Sequence, residues 1–143
     1  MDKQVLFLKF FDFITSVHQT THAFSKGAKL EDVTPVQYKM LEYVAVSQPV
    51  TLSSIADCTH MSLPNTSREI KKLMQKGLCE KVADTDDRRK QLIRLSEKGQ
   101  QLMNGIFGHM LSQLEGRIGT LSDEKLKEIE QALDLLHDQV FRA

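Results

Sequence analysis

The stretch DTDDRRKQ, positions 84–91, packs three carboxylates (Asp84, Asp86, Asp87) against three cations (Arg88, Arg89, Lys90). Two β-leaning runs, LCEKVA and QLIRL, flank it, so the charges crowd onto the tip of a hairpin. A second polar set precedes it. Asn65, Ser67, Arg68, Lys71, Lys72 and Gln75 fall on one face of a helix spanning 62–77. Leu63, Thr66, Ile70, Leu73 and Met74 form the opposite, inward stripe. The chemistry on offer is recognition of a polyanion. Although the whole chain is formally neutral, residues 62–95 hold nine bases against five acids. Residues 115–143 hold seven acids against four bases, so one basic surface and one surface turned away are expected. The bland alternative for each cluster is a solvated face whose charges cancel.

Ordered elements must hold these side chains. Residues 3–25 form a helix whose Val5, Leu6, Leu8, Phe10, Phe11, Phe13, Ile14 and Val17 reach more than halfway round it. Such a helix needs burial on several sides, and in a small protein a second subunit supplies it. Thr34, Pro35 and Gln37 make a capping box for a helix running to about Ser47, with Tyr38, Leu41, Val44 and Ala45 inward. Thr51 caps a short helix striped by Leu52, Ile55 and Ala56. A turn of about four residues joins it to the Ser62-capped helix that stops at Gly77, which is helix-turn-helix spacing. After the hairpin Ser96 caps a helix over 96–116, with Leu102, Ile106, Met110, Leu114 and Phe107 inward; Gly105, Gly108 and Gly116 would weaken or bend it. The final helix follows Ser122, its Leu126, Ile129, Leu133, Leu136 and Val140 forming a seam like that of a coiled coil.

The bulk numbers agree with one globular chain of 143 residues, 27% charged and 41% hydrophobic. No apolar run approaches the roughly 18 residues of a membrane span. The apolar start is broken by Lys9 and Asp12 and reads as a helix retained in the mature protein. Cys58 and Cys79 make no disulfide framework, so a reducing, cytoplasmic setting is expected.

The order helix, helix, helix-turn-helix, hairpin, long helix, helix resembles the MarR family of winged helix-turn-helix transcription regulators. The resemblance is carried by VTPVQYKMLEYV, by LSSIADCTHMSLPNTSREIKKLMQKGLCEK and, most specifically, by DTDDRRKQLIRLSEKG. It implies a mainly α fold of one MarR-like chain, 1–143. Residues 34–95 would form the DNA-binding lobe, and 1–33 with 96–143 a helical dimerisation region. It also implies a cytoplasmic homodimer on near-palindromic double-stranded DNA, a ligand-responsive repressor, with one helix in each major groove and a wing along the minor groove.

Physical chemistry then sorts the residues. A hairpin tip suits the narrow minor groove, whose negative potential attracts Arg88 or Arg89, with Lys90 alongside; Asp86 or Asp87 would pair with the other arginine and hold the tip in shape. Asn65, Thr66, Ser67 and Arg68 occupy the turns where base edges are met. Arg68 suits guanine and Asn65 adenine, while Thr66 can instead pack inward. Lys71, Lys72, Ser53 and Ser54 suit phosphate. An effector crevice in this family lies between the helical region and the lobe, with His22, Phe24, Tyr38, Met40, Tyr43, Phe107 and Met110 as candidate walls. His18 and His22, one turn apart, and His109 have placements a metal could use, but the family's metal pattern is not reproduced, and no metal or other cofactor is expected. Both cysteines read as small core residues. No catalytic set appears, so an enzyme is not expected. The rival is a winged-helix module for protein–protein contact without DNA binding, and neither reading involves a membrane.

Overall fold

The computed structural model describes residues 1–25, 32–87 and 89–142, and expectations for Arg88 lie outside them. Helices α1 (Lys3–Ser25), α2 (Pro35–Ser47), α3 (Leu52–Thr59) and α4 (Leu63–Gln75) are followed by a hairpin, then by α5 (Glu97–Ile118) and α6 (Asp123–Leu136). The chain divides into two compact units, Met1–Gly108 and His109–Ala143, with α5 running from one into the other.

The caps work as the sequence suggests. Thr34 Oγ1 accepts from the Gln37 amide, and Gln37 Oε1 accepts from the Thr34 amide, closing the box at α2. Ser62 Oγ accepts from the Asn65 amide at α4. Each such cap is worth about 1 kcal/mol. Gly77 ends α4 at φ +75°, a left-handed conformation that glycine takes without a Cβ penalty.

The sheet is three-stranded and antiparallel, in the order β1 (Val50–Thr51), β3 (Gln91–Leu95), β2 (Cys79–Ala83). The register runs from Cys79 opposite Leu95 to Ala83 opposite Gln91, leaving 84–90 as the tip. Strand β1 pairs Val50 with Ile93. It was not expected, because two residues directly before a helix carry no periodic signal.

The core of the first unit sits between α2, α3, α4, β3 and the start of α5. Met40, Leu41, Val44, Ile55, Ile70, Leu73 and Met103 are essentially inaccessible. Five inward expectations shift. Leu63 is 49% exposed, since the first turn of α4 projects beyond the core. Leu114 is exposed, and the buried face of α5 runs through Gly99, Met103 and Ile106, with Leu102, Phe107 and Met110 only half-buried. Helix α5 continues through Gly105 and Gly108 without a break.

At Gly99 a Cβ would stand 2.0 Å from the Leu78 carbonyl oxygen, so only glycine admits the close approach of α5 to the end of α4. The Ser96 amide donates to that same oxygen at 3.0 Å. Ser96 Oγ bridges onward, donating to Gly77 O and accepting from the Gly99 amide.

Helix α1 buries none of its large apolar residues. Val5, Leu6, Phe7, Leu8, Phe11, Phe13, Ile14 and Val17 are each at least 40% exposed in the single chain. On α6, Ile129 and Leu133 are likewise exposed, and the chain closes in a π-helical turn, His137–Phe141, that takes in Val140.

Candidate nucleic-acid interface

Helix α4 buries Thr66, Ile70 and Leu73 against the lobe, which turns Asn65, Arg68, Lys71, Lys72 and Gln75 outward. Ser67 is half-buried at the edge of this face. Of the two readings of Thr66, the inward one holds and the groove-facing one is corrected. The side chain is wholly inaccessible and its hydroxyl donates to Ser62 O at 2.9 Å, so it packs α4 and does not face a groove.

Ser67 and Lys71 of α4 line a small cleft of about 60 Å³ together with Lys81 of β2 and Gln91 of β3. Ile70, Met74 and Ile93 close its floor. The polar flank of the helix and the strands of the hairpin therefore open onto one surface. Lys81 and Gln91 were not singled out from sequence. The usable signal was strand alternation, because Lys81 shares a sheet face with buried Cys79 and a lysine there must emerge at the lobe's rim.

At the tip two of the acids bond to backbone amides, and the expected pairing of Asp86 or Asp87 with Arg88 lies outside the described residues. Asp84 Oδ1 accepts the Asp86 amide at 2.9 Å and Asp87 Oδ1 accepts the Arg89 amide at 3.0 Å. The Lys90 amide donates to Asp87 O, and the Asp84 amide to Lys90 O. Among the described residues neither Asp86 nor Asp87 pairs with an arginine. Asp84 and Asp87 shape the turn through its backbone, as short polar side chains do, and leave the exposed Arg89 and Lys90 uncommitted by ion pairing to these acids. Further down, Arg94 and Glu80 face each other across the strands at 2.7 Å, an exposed pair that adds little stability.

Ser53 is exposed near the start of α3, while the Ser54 hydroxyl lies 2.8 Å from Thr51 Oγ1 and belongs to the cap. Glu69 is the one carboxylate on α4. Gln37 donates to it at 2.9 Å and Lys72 at 3.3 Å, and these contacts, Gln37's first, hold it below the usual carboxylate range.

The effector candidates separate. His22 and Tyr38 line a cavity of about 320 Å³ between α1 and α2, with His18, Thr21, Lys39 and Glu42. Tyr43 lines a different hollow, of about 400 Å³, beside Cys58. Met40 corrects an expectation, being a fully buried core residue. Phe24, Phe107 and Met110 are half-buried. The Tyr38 hydroxyl is buried and finds no hydrogen-bond partner among the described residues. Burial first, then the Glu42 carboxylate one turn on, push its pKa well above the ordinary phenol value. His18 and His22 reach the same cavity, but among the described residues no cluster of three or more His, Cys, Asp or Glu could hold a metal. His109 lies 2.9 Å from Gln113, away from the other two histidines in sequence. Cys79 is buried, which raises its thiol to about 12, whereas Cys58 is exposed, contrary to a core reading of it. No described helix is long and apolar enough to cross a membrane.

The comparisons with known proteins agree with this architecture. Residues 33–90 match the MarR family model. The chain is 27% identical over 119 residues to the HTH-type transcriptional regulator MhqR of Bacillus subtilis, covering 83% of this chain and 77% of that one. Its fold superposes on a MarR family protein from Bacillus stearothermophilus with a TM-score of 0.73 at 19% identity, covering 99% of both chains. It also superposes on Streptococcus pneumoniae FabT, solved in complex with DNA, with a TM-score of 0.62 at 19% identity over 96% of each chain. The family match spans the helix-turn-helix and the first strand and tip of the wing, and over it the chain is similar to the MarR family, whose fold it shares.

Proposed function

We propose that this protein works as a homodimer that grips a near-palindromic operator in double-stranded DNA and represses by occupying it. The observation that carries this reading is the shared cleft: Ser67 and Lys71 from α4 and Lys81 and Gln91 from the wing strands open onto one surface. A helix and a hairpin presented together can enter a major groove and the adjoining minor groove at once. Arg68 and Asn65, exposed on the early turns of α4, read base edges, while Lys71, Lys72 and Ser53 meet phosphate. Arg89 and Lys90, on a tip preformed by Asp84 and Asp87, follow the minor groove beside Arg88.

The eight exposed apolar residues of α1 support the dimer, since so large an apolar surface is seldom left in water. A second copy would cover them, with residues 1–33 and 96–143 supplying the dimerisation region and the two lobes supplying two half-sites. The α1–α2 cavity supports a small-molecule effector. Tyr38, His18 and His22 on its walls suit an aromatic compound with a polar group, and a ligand wedged between α1 and α2 would shift the lobe against the dimerisation region. Repression and its release would take place in the cytoplasm.

Fluorescence anisotropy of a labelled duplex over a salt series tests the DNA reading. Saturable binding that weakens steeply as salt rises supports it, with a log–log slope of roughly −0.9 per phosphate contact. A stable dimer with no saturable shift at low salt would leave the winged-helix protein-contact module as the better account.

A further inference from the structure

Gln37 does more than cap α2. Its side chain is 2% exposed, and every polar atom of the amide is engaged. Oε1 accepts from the Thr34 amide at 3.2 Å and from Lys76 Nζ at 3.0 Å. Nε2 donates to Glu69 Oε2 at 2.9 Å. Two donors on one side and a carboxylate on the other allow only one orientation of the amide. Lys76 also donates to Asp32 O, so the cluster joins the approach to α2 with both the middle and the end of α4.

A capping box alone does not call for this residue. Glutamate closes such a box as well as glutamine, but its carboxylate would oppose Glu69. What the amide adds is a donor aimed at the only acid on α4. Helical spacing places Glu69 next to Asn65 and Lys72, on the flank of the groove-facing surface. Its side chain is 20% exposed against 50% for Lys72, so the carboxylate is drawn back while the ammonium projects.

We propose that Gln37 is a positioning residue for DNA binding: from the helix behind α4 it holds the Glu69 carboxylate off the groove-facing surface. The inference rests on the DNA-binding reading and deepens it. A glutamate freed from Gln37 can swing outward between Arg68 and Lys72, where it neutralises cations meant for phosphate and repels the phosphates themselves. Glu69 retains Lys72 as a partner, and Arg68 and Lys76 are the other charges near it, so the freed acid stays ionised at neutral pH.

The test uses Gln37→Met, Glu69→Gln and the double variant, on a DNA site enriched by the wild-type protein from a random pool. Gln37→Met should weaken binding about tenfold per subunit, the effect of roughly one phosphate contact near 0.1 M salt. Glu69→Gln should bind at least as tightly as wild type, and the double variant should match Glu69→Gln. A Gln37→Met loss that persists in the double variant would make Gln37 a packing residue and overturn the proposal, as would no loss at all. Gln37→Glu keeps the cap and the Lys76 partner and guards against misfolding of the methionine variant. It should also bind weakly and be rescued by Glu69→Gln, and absence of rescue would count against us. NMR titration of the Glu69 side-chain carboxyl needs no DNA. Its pKa should rise in Gln37→Met, and an unmoved value would overturn the proposal even if DNA binding holds. A wild-type protein that binds no DNA would instead remove the DNA reading, with the titration still reporting on the Gln37–Glu69 bond.

Discussion

Replacing Gly99 by alanine perturbs the joint between α4 and α5 with little other change. The new Cβ would lie 2.0 Å from Leu78 O and 3.0 Å from Leu78 C, both backbone atoms that no rotamer can move aside. A relaxed carbon–oxygen contact is roughly 3.3 Å, so the backbones must part by more than 1 Å. Parting them strains two hydrogen bonds, Ser96 amide to Leu78 O and Gly99 amide to Ser96 Oγ, each worth about 1 kcal/mol. It also loosens the packing of Met103 and Ile106, buried one and two turns on, at a further cost of about 1 kcal/mol. Alanine returns about 1 kcal/mol through its better helix propensity. The net expectation is a loss of about 2 kcal/mol, or a melting temperature lowered by about 7 °C in a chain of this size. Thermal denaturation followed by circular dichroism reads it directly. Gly105→Ala is the control: its Cβ would meet nothing within 4 Å, so it should stabilise the helix by about 1 kcal/mol. A Gly99→Ala protein that melts within about 1 °C of wild type would refute the close-approach argument.

Four further outcomes follow from the same geometry. Arg68→Ala should cost roughly 1–3 kcal/mol of discrimination between the operator and random DNA, measured by competition binding; an equal loss on both sequences would make Arg68 a phosphate contact. Arg88→Ala combined with Arg89→Ala should weaken binding most where the flank is A·T-rich, and a series of flank sequences with unchanged affinities would remove the wing from the account. Iodoacetamide at about pH 8 should label Cys58 in the folded protein and Cys79 only after denaturation, as read by mass spectrometry. Since the folded Cys79 thiol ionises only near 12, its burial should favour folding fully below the free-thiol value of 9 and progressively less as pH climbs between the two.

Much of the frame is legible in the sequence because its signals are local. The Thr34–Gln37 box, the Ser62 cap, the Gly77 stop and the period-two strands each act within a few residues, and each is found in place. Helical phase is weaker at helix ends. Leu63 and Thr66 both look inward on a wheel, yet only Thr66 reaches the core, because the first turn of α4 overhangs it. The acids at the hairpin tip were legible as a cluster but not in their action, since Asp84 and Asp87 spend their oxygens on backbone amides two residues away. Contacts between distant residues left no trace in the sequence at all. Gln37 with Glu69 and Gly99 beneath Leu78 meet, and Lys71 and Lys81 come to share a cleft, only once the chain has folded.

Selection of bound duplexes from a random pool tests the central claim most directly: that the outward face of α4 and the wing tip together read DNA. The account predicts enrichment of a two-fold-related sequence with half-sites about one helical turn apart, degraded by Arg68→Ala at fixed positions within each half. A folded protein that enriches nothing, or enriches a sequence without two-fold relation, would contradict it.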